Sequence, residues 1–183
     1  TRGIIMFTAF LIKYAEIGDM VTFGQYKGKS IQWTVLDKNG SKIMLFATKS
    51  VANKPYGANA NVNWITGTIR KWLNEDFYEA AFTEEEKALI ARTTINNPND
   101  PETNNGGCGN TTELVYLLSW QEADKYCKEP GFASGEFLTR TAGGPKFYYG
   151  TLVLWRSYQY VYHLRPDSAE PIRPVVWIDT DKI

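Results

Sequence analysis

The 183-residue chain reads as a single α+β domain, with strands at both ends and helices in the middle. Three observations predict it. Residues 19–26 (DMVTFGQY) alternate apolar and polar, as a half-buried strand does. In the middle, Thr83-Glu84-Glu85-Glu86 and Ser119-Trp120-Gln121-Glu122 both have the form of a capping box, which marks a helix start. From Gly131 onward helix signals stop, and short apolar runs are broken by Gly and Pro.

An earlier apolar run lies at 4–12 (IIMFTAFLI). It falls well short of the about twenty residues that span a bilayer. It reads as a buried or subunit-pairing strand, with the stub of a signal segment as the alternative. Residues 1–18 are accordingly an N-terminal extension or pairing strand, and the domain proper is 19–183. A chain that opens on Thr1 reads as a processed product or a piece of something longer.

Residues 19–26, 31–36 and 42–48 form an opening meander, with Asn39-Gly40 as the hairpin signal between the last two. Residues 51–63 form a loop. Ile69, Trp72, Leu73, Phe77 and Tyr78 recur at helical spacing and predict a helix over 66–80. The capping boxes start two more helices, at about 84–92 and 120–128. Residues 113–118 (ELVYLL) read as a strand, and 96–110 as a long polar loop. Short strands follow at 136–140, 147–155, 157–164 and 174–179. Trp72, Leu73, Phe77, Phe82, Leu89 and Ile90 share the inward faces of the first two helices and are expected to be buried.

Composition excludes several functions. Twenty Lys and Arg balance twenty Asp and Glu, so no charge excess points to nucleic acid or an anionic membrane. His163 is the only histidine, which removes tris-imidazole zinc sites and leaves a nucleophilic triad with one candidate base and no GxSxG turn. The glycines at 106–109 and 143–144 lack the phosphate-loop pattern. Glu84-Glu85-Glu86 sits in a helix's first turn, where carboxylates favour the dipole. The Asn/Asp-rich loop at 96–105 has oxygens that suit calcium, but not the EF-hand spacing. Cys108 and Cys127 read as independent thiols, with a disulfide as the alternative. No cofactor, metal or membrane span is expected, and no catalytic residue is assigned.

Aromatic residues are the departure from average, at 14% of the chain. Seven lie between Phe147 and His163, where that average gives about 2.4 (14% of 17 positions). Strand periodicity puts Tyr158, Tyr160 and Tyr162 on one face, and Ser157, Gln159, Val161 and His163 on the other. Burying a row of tyrosines requires a partner for each hydroxyl, whereas Tyr-rich exposed surfaces are typical of binding sites. The candidate ligand-binding residues are Tyr148, Tyr149, Trp155, Arg156, Tyr158, Tyr160, Tyr162 and His163. A hydrogen-bonded core sheet that uses Tyr as filler is the alternative.

Five ordered blocks resemble a known family. Residues 33–37 (WTVLD) resemble a WRVLD strand, and 68–90 resemble a helical block LRKWLN-x-x-FY-x-x-AF-x-x-EEK-x-x-I. Residues 111–119 (TTELVYLLS), followed by EADKY, resemble TTDKVFLLS-x-x-EA-x-KY. Residues 137–143 (FLTRTAG) resemble WLRSPG with one extra residue, and 172–178 (IRPVVWI) resemble a closing GVRPALWI. The family is an uncharacterised bacterial domain of unknown function. It is similar to the C-type-lectin-like and formylglycine-generating-enzyme-like folds, and to the variable proteins of diversity-generating retroelements.

That resemblance implies a C-type-lectin-like domain over 19–183, with the first and last strands as neighbours and 172–179 paired near 19–26. It implies a display module, not an enzyme, that binds a protein or glycan through the Tyr-rich stretch between the WLRSPG-like and RPALWI-like blocks. A cell-surface, secreted or phage-borne setting is favoured over the cytoplasm. The alternatives are an oxidase of the formylglycine-generating type, or its remnant, and a structural envelope domain. The oxidases keep paired cysteines in their C-terminal region, where this chain has none.

Overall fold

The structure of the protein, a computed structural model, describes residues 2–58, 62–129, 131–132, 135–143, 152–155 and 161–183. It is a mixed α+β fold built on an antiparallel sheet. The elements are α1 (Arg2–Tyr14), β1 (Met20–Tyr26), β2 (Lys29–Asn39), β3 (Lys42–Ala47), β4 (Ala52–Lys54), α2 (Thr68–Trp72), α3 (Tyr78–Ala81), α4 (Glu84–Leu89), β5 (Thr93–Asn97), β6 (Gly109–Glu113), α5 (Trp120–Tyr126), β7 (Phe137–Ala142), β8 (Leu152–Trp155), β9 (Val161–Leu164), β10 (Glu170–Ile172) and β11 (Val175–Asp179).

The opening apolar run is a helix, not the strand its composition suggests. An unbroken apolar run carries no period, so packing decides. Ala9, Ile12 and Ala15, three residues apart, are buried, while Phe7, Phe10, Leu11 and Tyr14 face out. That spacing is one stripe of a helix. The helix packs beside β1 and the C-terminal turn at Thr180–Lys182.

The main sheet has the order β1-β2-β3-β11. Its last strand pairs with β3, from Val175↔Phe46 to Asp179↔Lys42, so the first and last strands share a sheet but lie at opposite edges. The reason lies in β3. Residues 43–47 (IMLFA) are all buried, and a strand covered on both faces needs hydrogen-bond partners along both edges. β11 supplies the second. β1, with exposed Met20, Thr22 and Gln25, suits an edge.

Register sets the layers. Trp33 and Thr34 are adjacent and point to opposite faces, and Thr34 pairs with Phe46. On Trp33's face stand the middle helices. Phe82 lies between Phe23 (ring centroids 5.3 Å), Phe77 (6.0 Å) and Trp33 (6.4 Å). On Phe46's face stand Phe132 (5.5 Å) and Phe137 (5.2 Å), with the Arg173 guanidinium 4.1 Å above the Phe46 ring. Trp72, Leu73, Phe77, Phe82, Leu89 and Ile90 are all buried, as their spacing predicts.

The first middle helix begins at Thr68 and widens to a π turn at Leu73–Phe77 before α3. Asn74 sits in that turn. Its side-chain oxygen accepts from the backbone N–H of Leu114 (2.8 Å) and Val115 (3.2 Å), and its amide donates to the Val115 carbonyl (2.9 Å). Residues 114–118, read as strand, are therefore held by the Asn74 side chain, by one bridge between Tyr116 and Val175 and by bonds from Arg140 to the Leu117 and Leu118 carbonyls, not by a ladder. Both capping boxes form, Thr83 with Glu86 and Ser119 with Glu122. The polar loop is shorter than expected, because β5 and β6 pair from Thr93↔Glu113 to Asn97↔Gly109.

Candidate functional site

β7, β8 and β9 form a three-stranded antiparallel sheet separate from the main one. β8 pairs with β7 through Phe137↔Trp155 and Leu138↔Leu154, and β9 pairs with β8 through Leu154↔Tyr162 and Val153↔His163. The described residues of the Tyr-rich stretch, 152–155 and 161–163, thus pair into a sheet with β7. All six residues of β7 are buried, although three of them, Thr139, Arg140 and Thr141, are polar.

Arg140 is the hub. Its Nε donates to Asn97 Oδ1 (3.0 Å), Nη1 to the Leu117 carbonyl (2.7 Å), and Nη2 to the Asn96 carbonyl (2.7 Å) and to Glu122 Oε1 (3.0 Å). Nη1 also donates to Glu122 Oε2, which makes the ion pair two-pronged. The same Glu122 oxygen accepts the Ser119 backbone N–H in the capping box. Asn97 turns its amide to the Gly109 carbonyl (2.8 Å). One guanidinium thereby ties β7 to β5, to the segment before α5, and to α5 itself.

Neighbouring bonds fix the rest of the strand. Tyr56, fully buried, donates its hydroxyl to the Arg140 carbonyl (2.8 Å), and burial holds its phenol pKa well above the ordinary value. Trp120 N–H donates to Thr141 Oγ1 (2.9 Å), and Thr103 Oγ1 to the Gly143 carbonyl (2.7 Å). Gly143 is the last residue described before 144–151, and these bonds fix the chain up to that point.

Tyr148, Tyr149, Arg156, Tyr158 and Tyr160 lie outside the described residues. Of Trp155, Tyr162 and His163 the backbone is described, with Trp155 ending β8 and Tyr162 and His163 in β9. Sequence reasoning missed Arg140, Glu122 and Asn97 as positioning residues. The signal available was a lone Arg in a strand whose neighbours are otherwise uncharged.

The other candidates fall apart on contact geometry. Asp100 directs its carboxylate at the backbone N–H groups of Glu102 and Thr103, and Asn99 Oδ1 accepts from Gly107 N–H, so loop oxygens that could face calcium brace the loop. Among the described residues no group of three His, Cys, Asp or Glu side chains gathers to hold a metal ion. Cys108 and Cys127 are free thiols. Among the described residues no helix is long and apolar enough to cross a membrane.

A second polar site ties the WRVLD-like block to α5. Asp37 Oδ2 accepts from the Tyr126 hydroxyl (2.6 Å) and Lys125 Nζ (3.2 Å), and Oδ1 from Lys38 N–H (2.8 Å). Desolvation raises the Asp37 pKa, but these bonds outweigh it and hold the carboxyl below its usual value. Burial, reinforced by the Asp37 bond, pushes the Tyr126 phenol up.

The architecture defines an α+β domain built on an antiparallel sheet. A sequence profile described as "Domain of unknown function (DUF6273)" matches residues 40–151, more than half of the chain, and the protein belongs to that family. No curated protein and no solved structure matches the chain.

Proposed function

We propose that the protein is a ligand-binding display module: a C-type-lectin-like scaffold, similar to the variable proteins of diversity-generating retroelements, that binds a protein or glycan through its Tyr-rich C-terminal surface. The observation that carries this reading is the attachment of that stretch. β8 and β9 belong to a sheet of their own, and β7, which bears them, is clamped at its base by Arg140 and its partners. β8 and β9 pair with β7 and with each other, not with the main sheet, so substitutions among them leave the main sheet's ladder intact. Tyr, concentrated at 147–163, and Arg, present there as Arg156, are the residue types that act most often as interface hot spots. An oxidase of the formylglycine-generating type is disfavoured, since Cys108 precedes β6 and Cys127 ends α5, both ahead of the C-terminal strands.

The test pairs a thermal melt with binding to a glycan microarray and a displayed peptide library. Tyr160→Ala and Tyr162→Ala are expected to abolish the selected binding and to leave stability within about 0.5 kcal/mol, as ordinary surface positions do. Variants that both melt well below the parent would make these tyrosines core residues and end the proposal.

A further inference from the structure

A groove of about 610 Å³ lies where the β1–β2 turn meets the chain leaving β3. Three lysines converge on it: Lys27 and Lys29 from the turn, and Lys49 from just beyond β3. All three are exposed. Between them the groove presents Ser30, Gln32 and Ser50. Among the described residues no carboxylate lines it, and every Asp and Glu of the sequence falls within the described residues. Among those residues the ion pairs engage other lysines and arginines, not these three. In a chain of twenty cations and twenty anions, this is a local segregation of charge.

Backbone strain points to the same place. Tyr26 pairs with Lys29, so Lys27 and Gly28 form the whole turn, and both take left-handed conformations, φ +49° and +75°. Such turns favour Asn-Gly or Gly-Gly, because a side chain at the first position clashes with its own backbone. Lys27 is one of two non-glycine residues with positive φ among the described residues. This strained turn carries the Lys27 side chain at the groove's rim, and strained backbone of this kind clusters at ligand sites.

We infer that this groove binds an acidic oligosaccharide, with Lys27, Lys29 and Lys49 meeting its carboxylate or sulfate groups and Ser30, Gln32 and Ser50 its hydroxyls. Ammonium groups on flexible stems suit anions spaced along a sugar chain, where no planar fork is required. The volume falls in the range of small-ligand sites. A nucleic-acid partner fits less well, because the chain as a whole is neutral and no arginine lines the groove among the described residues. The inference stands independently of the C-terminal reading.

The experiment titrates the full chain by calorimetry with four probes: a uronate tetrasaccharide, a sulfated tetrasaccharide, a neutral tetrasaccharide of equal length, and a single-stranded thymidine oligonucleotide. Binding of one or both acidic sugars, weakening with salt, is expected, and no heat from the neutral one; the two acidic arms tell carboxylate from sulfate. Lys27→Gln/Lys29→Gln/Lys49→Gln should reduce affinity by roughly tenfold or more, about the loss of three exposed ion pairs. Lys42→Gln/Lys71→Gln/Lys182→Gln, equal in charge and outside the groove, should change it little. A melt of each variant separates lost binding from lost folding, and the single variants Lys29→Gln and Lys49→Gln serve if the triple one unfolds. The inference is overturned if neither acidic sugar binds, if both triple variants lose affinity equally, or if the oligonucleotide binds more tightly than either sugar. Tyr160→Ala should leave this binding unchanged, so failure here and failure of the C-terminal proposal are read separately.

Discussion

The protein uses its cations in two opposite ways. Arg140 lies in a strand with every residue buried, and its guanidinium is saturated by carbonyls of residues 96 and 117, by Asn97 and by Glu122. Lys27, Lys29 and Lys49 stand in water around a groove with no carboxylate on its walls among the described residues. A buried charge must have its partners supplied by the fold, and so becomes part of the fold. An exposed charge without a carboxylate partner costs little and stays available. The difference separates residues that hold this domain together from residues that could meet something outside it.

The comparison breaks most visibly at Arg140. Arg140→Met removes the guanidinium and leaves Glu122, Asn97 and two carbonyls facing an apolar side chain. We expect a loss of about 3 kcal/mol or more, near the low end for a broken buried pair because Glu122 is 29% exposed. For a chain of this size that lowers the melting midpoint by roughly 6–12 °C. Lys29→Met and Lys49→Met, scored in the same melts, should stay within about 0.5 kcal/mol of the parent. An Arg140→Met protein as stable as the lysine variants would erase the distinction.

Asp37 lies between these extremes, with 31% of its side chain exposed. Its folded pKa is depressed, so its contribution is present above the unfolded value near 3.9 and is lost as pH falls through the lower folded value. Tyr126 is raised, so its contribution is present below the unfolded value near 10 and is lost as pH climbs toward the folded one. Asp37→Asn should cost about 1–2 kcal/mol at neutral pH, the range for a hydrogen bond to a charged group partly open to water. Urea melts from pH 2 to 7 should also show a shallower acid limb in the variant. Parallel curves below about pH 4 would mean that Asp37 carries none of the acid sensitivity.

The sequence made some of this legible. Both capping boxes, the three-strand opening and the six buried residues of the middle helices follow from spacing alone, since those patterns are local. The N-terminal helix was not legible, because an uninterrupted apolar run has no period to read. Residues 114–118 were misread for a related reason: the apolar pattern of a strand is present, but Asn74, forty residues earlier in the chain, takes the hydrogen bonds a neighbouring strand would take. The position of β11 depended on which strand lacked an edge partner, a property of the assembled sheet. Of the candidate site, the aromatic stretch was visible as composition. Its clamp was not, since Arg140's partners come from residues 96, 97, 117 and 122. The lysine groove was hidden likewise, with Lys49 separated in sequence from the turn it joins.

The smallest effect is the most discriminating. If Lys27 is held in a left-handed conformation for its charge, relieving the strain should stabilise the protein. Lys27→Asn places at the first turn position a residue that tolerates positive φ, next to Gly28, which already has it. The expected gain is about 0.5–1 kcal/mol, less than the full left-handed penalty because Asn pays part of it. Lys29→Asn, one position into β2, relieves nothing and should be neutral or slightly destabilising, since Asn is a poor strand former. Urea denaturation of the two variants beside the parent resolves such a difference when the slopes agree. A gain at position 27 with a loss or no change at 29 identifies a turn that gives up stability to keep a cation in place. No gain at 27 would mean that the turn accepts lysine without strain, and the backbone would then supply no reason to single out this rim of the groove.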